Sequence, residues 1–343
     1  MKLTYAEITD TFNALGQTAA YIDDMWGDIK SFVKDKKRFV FVGCGSSYLL
    51  SKSMAVMTGM HTGISAFAVA AGDILLHAER YAKYIDGAAV VCVSRSGRTS
   101  EMIMALDALT SKGYSFTVTS LVCADSTSLA DKSELTLSMP WAFDNSVCQT
   151  RTVTNFYFAA AYILAKATDN QTVLEDLRHI TSNGSQYLQE AEVLADEFST
   201  LPWTHCVVLA DAEPEGLAEE GALAFKEICQ LPSNYYHLLD VRHGPMVLIK
   251  EDTLVLAALG AKNELECNLL RDIKKKNAQL IAFSDTDCTP VENVRFSVYG
   301  RPLSHIARGI PFAILCQMIS YKKSLSTGAD PDKPDGLDPW IAL

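Results

Sequence analysis

Several signatures that would assign a function outright are missing from this 343-residue chain. There is no Cys-x-x-Cys pair, so neither a zinc knuckle nor a dithiol redox centre is indicated. The nine cysteines are scattered, several inside apolar runs, and read as buried reduced thiols. His and Cys show no ligand spacing, so no metal is expected. There is no Gly-x-Gly-x-x-Gly with an acidic ribose partner downstream and no complete P-loop, which disfavours a nucleotide-binding α/β protein. No stretch is long and charge-free enough to span a bilayer, and Met1-Lys-Leu-Thr-Tyr-Ala-Glu7 lacks the apolar core of a signal peptide. A soluble, cytoplasmic protein without a membrane partner is expected. Positive charge is also in deficit: a net charge of −11 disfavours a nucleic-acid backbone as general partner, while leaving room for a local basic pocket.

What the chain does have is 48% hydrophobic residues, enough for a full core divided between two domains. Ala89-Val-Val-Cys-Val93 is an apolar β-branched run of the kind that makes a buried parallel strand. It passes abruptly into Ser94-Arg-Ser-Gly-Arg-Thr99, and Met102 to Leu109 then begins a helix. Such a turn is well built to hold a phosphate. Gly97 lets the backbone turn tightly, the hydroxyls can donate, and the free N–H groups at the helix start face the same point. An ordinary strand–helix turn with a serine N-cap is the alternative. Upstream, Arg38-Phe-Val-Phe-Val42 runs into Gly43-Cys-Gly-Ser-Ser47 and a helix from Tyr48 to Met57, a second turn of the same design. Loops that follow parallel strands lie on one sheet edge, where ligands bind. A third polar turn, Asn145 to Asn155, precedes the apolar helix Phe156 to Ala165. It reads either as a third pocket wall, with Ser146, Gln149 and Arg151 as candidates, or as a capped helix start.

The rest of the chain alternates in the same way. A helical segment from Glu7 to Lys34 leads in, and further strands are expected at His61 to Val69, Ser115 to Cys123 and, at an edge, Leu135 to Met139. Ala167 to Asn170 is the best boundary candidate, giving domains at residues 1–170 and 171–343. Beyond it, strands are expected at His205 to Ala210, Thr253 to Leu259, Gln279 to Phe283 and, at an edge, Phe296 to Tyr299. Helices are expected around Gly221 to Cys229, Glu264 to Lys276 and Ile306 to Leu325, with Pro311 kinking the last or marking its true start. The pattern is two successive α/β layers. They are chemically unequal, because the second carries Ala210-Asp-Ala-Glu-Pro-Glu-Gly216 and Ala258-Leu-Gly-Ala-Lys262 where the first has its hydroxyl turns. Carboxylates and apolar groups there would repel a phosphate dianion. What the second half offers is Glu220 and Glu227 on one helical face with Ala224 between them, and His243 on the loop Val241-Arg-His-Gly-Pro245. A carboxylate and an imidazole suit general acid/base work; a solvated helix carboxylate and a plain loop histidine are the alternative.

The segments Gly43-Cys-Gly-Ser-Ser47, Ser94-Arg-Ser-Gly-Arg-Thr99, Glu220-Gly-Ala-Leu-Ala-Phe-Lys-Glu227 and Arg242-His-Gly-Pro245 resemble the SIS (sugar isomerase) family, over essentially the whole chain and in order. Closest in kind are its double-SIS enzymes: the isomerase half of glucosamine-6-phosphate synthase, amino-sugar-6-phosphate isomerase/deaminases and fructosamine-6-phosphate deglycases. The resemblance implies an α/β fold of two tandem doubly wound parallel-sheet (flavodoxin-like) domains. It implies a small sugar phosphate as ligand, no cofactor, and a homodimer or higher homo-oligomer with shared active sites. The tail from Gly328 to Leu337 is similar to the family's Asp-x-Pro ending, and no glutamine-amidotransferase half is expected in these residues. Ser47, Ser94, Ser96 and Thr99 match the hydroxyls that hold the phosphate, with Arg95 a further polar contact and Gly45, Ser46 and Gly97 in the same turns. Glu227 matches the acid/base carboxylate, for which a raised pKa is expected, and His243 the ring-opening histidine, which in relatives usually comes from the neighbouring subunit.

Two departures matter. Synthase-like members carry lysines where this chain has Ala224 and Pro339, so the resemblance implies an isomerase, deaminase or deglycase rather than a synthase. Ser146 to Arg151 and Glu251 to Val255 are closer to the deaminases. A regulator that binds sugar phosphate without turning it over remains a further reading, disfavoured by the intact Glu227 and His243.

Overall fold

A computed structural model describes residues 2–338 and shows an α/β chain built on two parallel five-stranded sheets. In order, α1 (Leu3–Asp24) and α2 (Trp26–Val33) lead into β1 (Arg38–Gly43), α3 (Ser46–Thr62), β2 (Ser65–Ala70), α4 (Ala71–Ile85), β3 (Ala89–Ser94), α5 (Ser100–Ser111), β4 (Thr117–Val122) and β5 (Leu135–Ser138). Then come α6 (Arg151–Ala167), α7 (Gln171–Asn183) and α8 (Ser185–Ser199). The second alternation is β6 (His205–Leu209), α9 (Glu215–Glu227), β7 (Ser233–Tyr236), β8 (Thr253–Ala258), α10 (Glu264–Lys274), β9 (Gln279–Ser284), β10 (Arg295–Val298) and α11 (His305–Thr327). The single lead helix expected from Glu7 to Lys34 is two, and α4 and β7 stand where no element was expected. Pro311 lies inside α11, which begins six residues earlier, so it does not mark the helix start.

The chain divides into two compact units. One comprises Asp10–Asn145 and Arg151–Thr181; the other comprises residues 2–9, Ser146–Thr150 and Ser182–Leu337. In the first, the strand order is β2-β1-β3-β4-β5, all parallel; in the second it is β7-β6-β8-β9-β10, which is the same order once the strands are counted within the unit. Each sheet therefore has a switch point, between β1 and β3 and between β6 and β8, where successive connections leave in opposite directions.

β3 is buried along its whole length and β1 along all but its first residue, as strands covered on both faces must be. Val40, Val42, Val90 and Cys92 point to one face and pack with Ile74 and Ala78 of α4 and Met102 and Leu106 of α5. In the second unit Val207, Leu209, Val255 and Ala257 pack likewise against Leu269, Leu270 and Ile273 of α10. None of the described helices is long and apolar enough to cross a membrane, and the nine cysteines form no disulfide.

Past the end of β9, the fully buried Asp285 ties three segments together. One carboxylate oxygen accepts from Lys262 Nζ at 2.7 Å; the other accepts from the Leu303 amide at 2.8 Å and lies 3.0 Å from the Arg308 guanidinium. Burial pushes this carboxyl up, but the Lys262 bond, the Leu303 amide and the two cations outweigh it and hold it below the usual carboxylate range. A depressed carboxyl contributes stability that is complete above its unfolded pKa and is lost as pH falls through its folded one. Asp285→Asn is expected to cost about 3 kcal/mol at pH 7 by leaving Lys262 and Arg308 without their counter-charge. The gap to wild type should narrow on acidification, measured by urea unfolding at pH 7 and pH 3; a gap that widens toward low pH contradicts this role.

Candidate functional site

The turn after β1 and the turn after β3 flank the switch point of the first sheet. Gly43 ends β1 because nothing larger fits: a β-carbon there would lie 2.4 Å from the Ser47 carbonyl carbon. The chain then turns through the exposed Gly45 into α3, and Ser46 and Ser47 are both buried at its start. After β3, Ser94 Oγ lies 2.8 Å from Thr99 Oγ1 and accepts from the Gly97 amide at 3.1 Å; Ser96 Oγ accepts from the Arg98 amide at 3.2 Å. Gly97 sits at φ +61°, and a β-carbon on it would meet the Thr127 side chain at 2.5 Å. The Leu129 amide donates to the Gly97 carbonyl and the Cys123 amide to that of Arg95, so the segment after β4 braces the turn. Thr127 was not singled out from the sequence. The hydroxyl-rich run Asp125-Ser-Thr-Ser was its only signal.

Thus the structure brings Ser94, Gly97 and Thr99 into one small constellation. Neither N-cap residue, Gly45 of α3 or Thr99 of α5, caps its helix with a side chain. In α3 the Ser47 and Tyr48 amides donate to the Cys44 and Gly45 carbonyls, so it is the start of α5 that keeps donors for an anion. Cys44, in the first turn, is no competing nucleophile: burial, with the Glu101 carboxylate adding to it, pushes its thiol up to about 11. Arg95 is buried, its guanidinium donating to the Asp144 carbonyl at 3.3 Å and lying over the Phe143 ring, 5.6 Å from its centroid.

The corresponding turn of the second sheet, after β8, is chemically closed. The carboxylate of Glu266 accepts from the amides of Gly260 at 2.8 Å and Ala261 at 3.0 Å and, more closely, from that of Lys262, while Asn263 caps α10 by accepting from Leu265 and Glu266. The turn as read from the sequence, Ala258-Leu-Gly-Ala-Lys262, contains no carboxylate; the one that fills the anion cradle, Glu266, comes from the first turn of α10.

The polar turn before α6 is committed to structure. Ser146 donates closely to the buried Glu7, which also accepts from the Ser146 amide at 3.1 Å. The Asp144 carboxylate accepts from the Thr152 amide at 2.9 Å and so caps α6, and Arg151 pairs with Asp10 at 2.7 Å. The side-chain oxygen of Gln149 is enclosed.

In the second unit Glu220 is fully buried and Glu227 half-buried, two helical turns apart on α9. Between them the buried Ala224 packs with Cys148 and Ile228. His243 is exposed, directly after the short 3-10 turn Asp240–Arg242, and its amide donates to the Asp240 carbonyl at 2.8 Å. Pro339, the second position of interest for a lysine, lies outside the described residues.

Comparison with known proteins agrees with this geometry. Residues 32–164 match the SIS domain family model. The chain is 24% identical over 336 residues to a glutamine–fructose-6-phosphate aminotransferase (isomerizing) of Shewanella oneidensis, covering 92% of this chain and 53% of that protein. It thus spans about half the length of the curated relatives it matches. Among solved structures, a tagatose-6-phosphate ketose/aldose isomerase of Escherichia coli superposes with a TM-score of 0.84 at 20% identity, over 99% of this chain and 98% of that one. A glucosamine-6-phosphate deaminase of Thermotoga maritima gives 0.81 at 23% identity, with complete coverage of both chains. At those identities the two structures speak for the fold.

The Ser94–Thr99 turn generates a direct test. Gly97→Ala places a β-carbon at positive φ and against Thr127, and is expected to destabilise the protein by about 3 kcal/mol and abolish binding of inorganic phosphate by calorimetry. Unchanged phosphate binding contradicts the site. The strand order, the glycine–hydroxyl turns at the switch point and the family match converge on one statement: residues 32–164 of this chain match the SIS domain family.

Proposed function

We propose that this protein is a phosphosugar aldose–ketose isomerase-type enzyme acting on a 6-phosphosugar or an amino-sugar 6-phosphate. The observation that carries the reading is the contrast between equivalent turns. The first amides of α5, after β3, carry no N-cap side chain, whereas those after β8 are occupied by Glu266. A protein that fills one anion cradle with its own carboxylate and leaves the other open is equipped for one phosphate per chain. In this proposal a doubly wound first domain, about residues 1–170, holds the phosphate through Ser47, Ser94, Ser96 and Thr99. A second, about residues 171–343, supplies the acid/base pair.

Anchoring the phosphate orients the far end of the sugar and lowers the entropic barrier at the reacting carbons. His243 assists ring opening by moving a proton between the ring oxygen and the anomeric hydroxyl. Glu227 removes the proton from C2 of the aldose; the electron pair forms the C1–C2 double bond of an enediol as the C1 carbonyl oxygen gains a proton. Return of a proton to C1, with loss of the C2 hydroxyl proton, gives the ketose. The substrate's own carbonyl is the electron sink, so the chemistry needs no cofactor. The exposure of His243, with exposed Leu239, Val247 and Leu248 close by in sequence, supports a homodimer in which this loop serves a second copy.

A second reading, a deglycase of 6-phosphofructosyl-amines, is favoured by one observation. The buried Ala224 provides no amine on the helix that carries Glu227. The two are separated by assaying fructose 6-phosphate, glucosamine 6-phosphate and a 6-phosphofructosyl-amine in D2O by NMR. Deuterium entering C1 or C2, with interconversion of aldose and ketose, is the expected result. Glu227→Gln should lower kcat by about 10²–10⁴-fold with substrate still bound; Ser94→Ala and Thr99→Ala should raise KM. Full turnover by Glu227→Gln contradicts the assignment, release of amine alone selects the deglycase, and a thermal shift without turnover of any of the three selects a sensor.

A further inference from the structure

The second face of the first sheet is covered by α3 and α6 only in part. Opposite the side packed by α4 and α5, Phe39, Phe41, Leu121 and Leu137 of the sheet and Met54 and Met57 of α3 line a cavity of about 820 Å³ that also reaches α2 and α6. None of Ser47, Ser94, Ser96 or Thr99 lines it, so it is separate from the phosphate turns. Protein interiors are packed to crystal-like density, and a void of this size forfeits dispersion contacts along its whole wall. It falls in the volume range of small-molecule sites.

The wall chemistry defines the occupant. Four threonines line the cavity, and each hydroxyl is already spent on a backbone carbonyl: Thr58 on Met54 at 2.7 Å, Thr62 on Thr58 at 2.6 Å, Thr119 on Leu135 at 2.8 Å and Thr168 on Leu164 at 2.8 Å. The sheet and α3 walls therefore present mostly carbon, with the polar groups of the lining, Trp26, His61, the lysines and Asp169, on or just past α2 and α6 and near the end of α3; such a wall favours an apolar body. The exposed part of the lining reverses the sign of the chain as a whole. Lys30 and Lys34 are exposed there, Lys166 lies further in and is paired with Asp23, and Asp169 is the one acidic residue of the lining. Against a net charge of −11, this is a local cationic rim on an apolar hole.

We propose that this cavity is a binding site for an amphipathic anion, a molecule with a hydrocarbon or aromatic body and one carboxylate or sulfonate head. The body lies against Phe39, Phe41 and Leu137, and the head meets Lys30 and Lys34. The proposal does not depend on the sugar-phosphate reading.

The test uses 1-anilinonaphthalene-8-sulfonate as fluorescent probe on the full chain, displaced by dodecanoate or by dodecanol. Wild type is expected to bind one probe per chain saturably, with dodecanoate displacing it and raising Tm. Ala160→Trp, which fills the cavity from α6, should weaken probe and dodecanoate at least tenfold. The double variant Lys30→Glu/Lys34→Glu alters only exposed side chains and so keeps the test decisive should the cavity variant fail to fold. It should weaken dodecanoate at least fivefold while leaving dodecanol unchanged. Non-saturable probe binding, equal loss of dodecanoate and dodecanol in the lysine variant, or conversion of an oligomer to a monomer by Ala160→Trp, which would give the cavity to a second copy, each overturns the proposal.

Discussion

A parallel sheet with helical crossovers gathers unsatisfied backbone amides at the carboxyl ends of its strands, and something must accept from them. This constraint organises the molecule. Two units with the same strand order meet it in opposite ways. After β8 the answer is internal: Glu266 reaches back to three successive amides and Asn263 caps the helix. After β3 no N-cap side chain covers the first amides of α5, and the Ser94 and Thr99 hydroxyls, bonded to each other, lie in the same turn. A duplicated fold can keep its architecture and still specialise, because one carboxylate on a first helical turn is enough to convert an anion site into a structural bond.

The same economy governs the polar groups around the site. Asp144 caps α6 and sits beside Arg151, Glu7 holds Ser146, and Asp285 joins Lys262, Arg308 and the Leu303 amide. Each is a buried or half-buried carboxylate matched to donors from distant segments. Such matched groups stiffen the turns that hold them. In the third polar turn Asp144 caps α6 through the Thr152 amide, Arg151 pairs with Asp10, and Ser146 is held by Glu7.

Much of the fold was legible in the residues. Central strands such as Ala89–Ser94 announce themselves as β-branched runs because both faces are buried, and the glycine–hydroxyl turns stand out because they interrupt those runs. β7 was not legible: Ser233-Asn-Tyr-Tyr236 is a four-residue edge strand with no apolar run, placed by pairing with β6. α4 was missed because Ala71–Ile85 carries its small apolar residues among charges and departs from helical geometry at His77. Pairings such as Glu7 with Ser146 join residues 139 apart in sequence and leave no local trace. The apolar cavity is equally silent, since the residues that line it have the composition of a packed core. The acid/base candidates were legible as residue types at a spacing. That spacing sets Glu220 and Glu227 two turns apart on α9.

The account stands most directly on where a sugar phosphate lies. A crystal structure with fructose 6-phosphate is predicted to show phosphate oxygens within hydrogen-bond distance of the Ser47, Ser94 and Thr99 hydroxyls and of the first amides of α3 and α5, with C1 and C2 beside Glu227. A phosphate bound elsewhere, with those hydroxyls and amides facing only water, would contradict it.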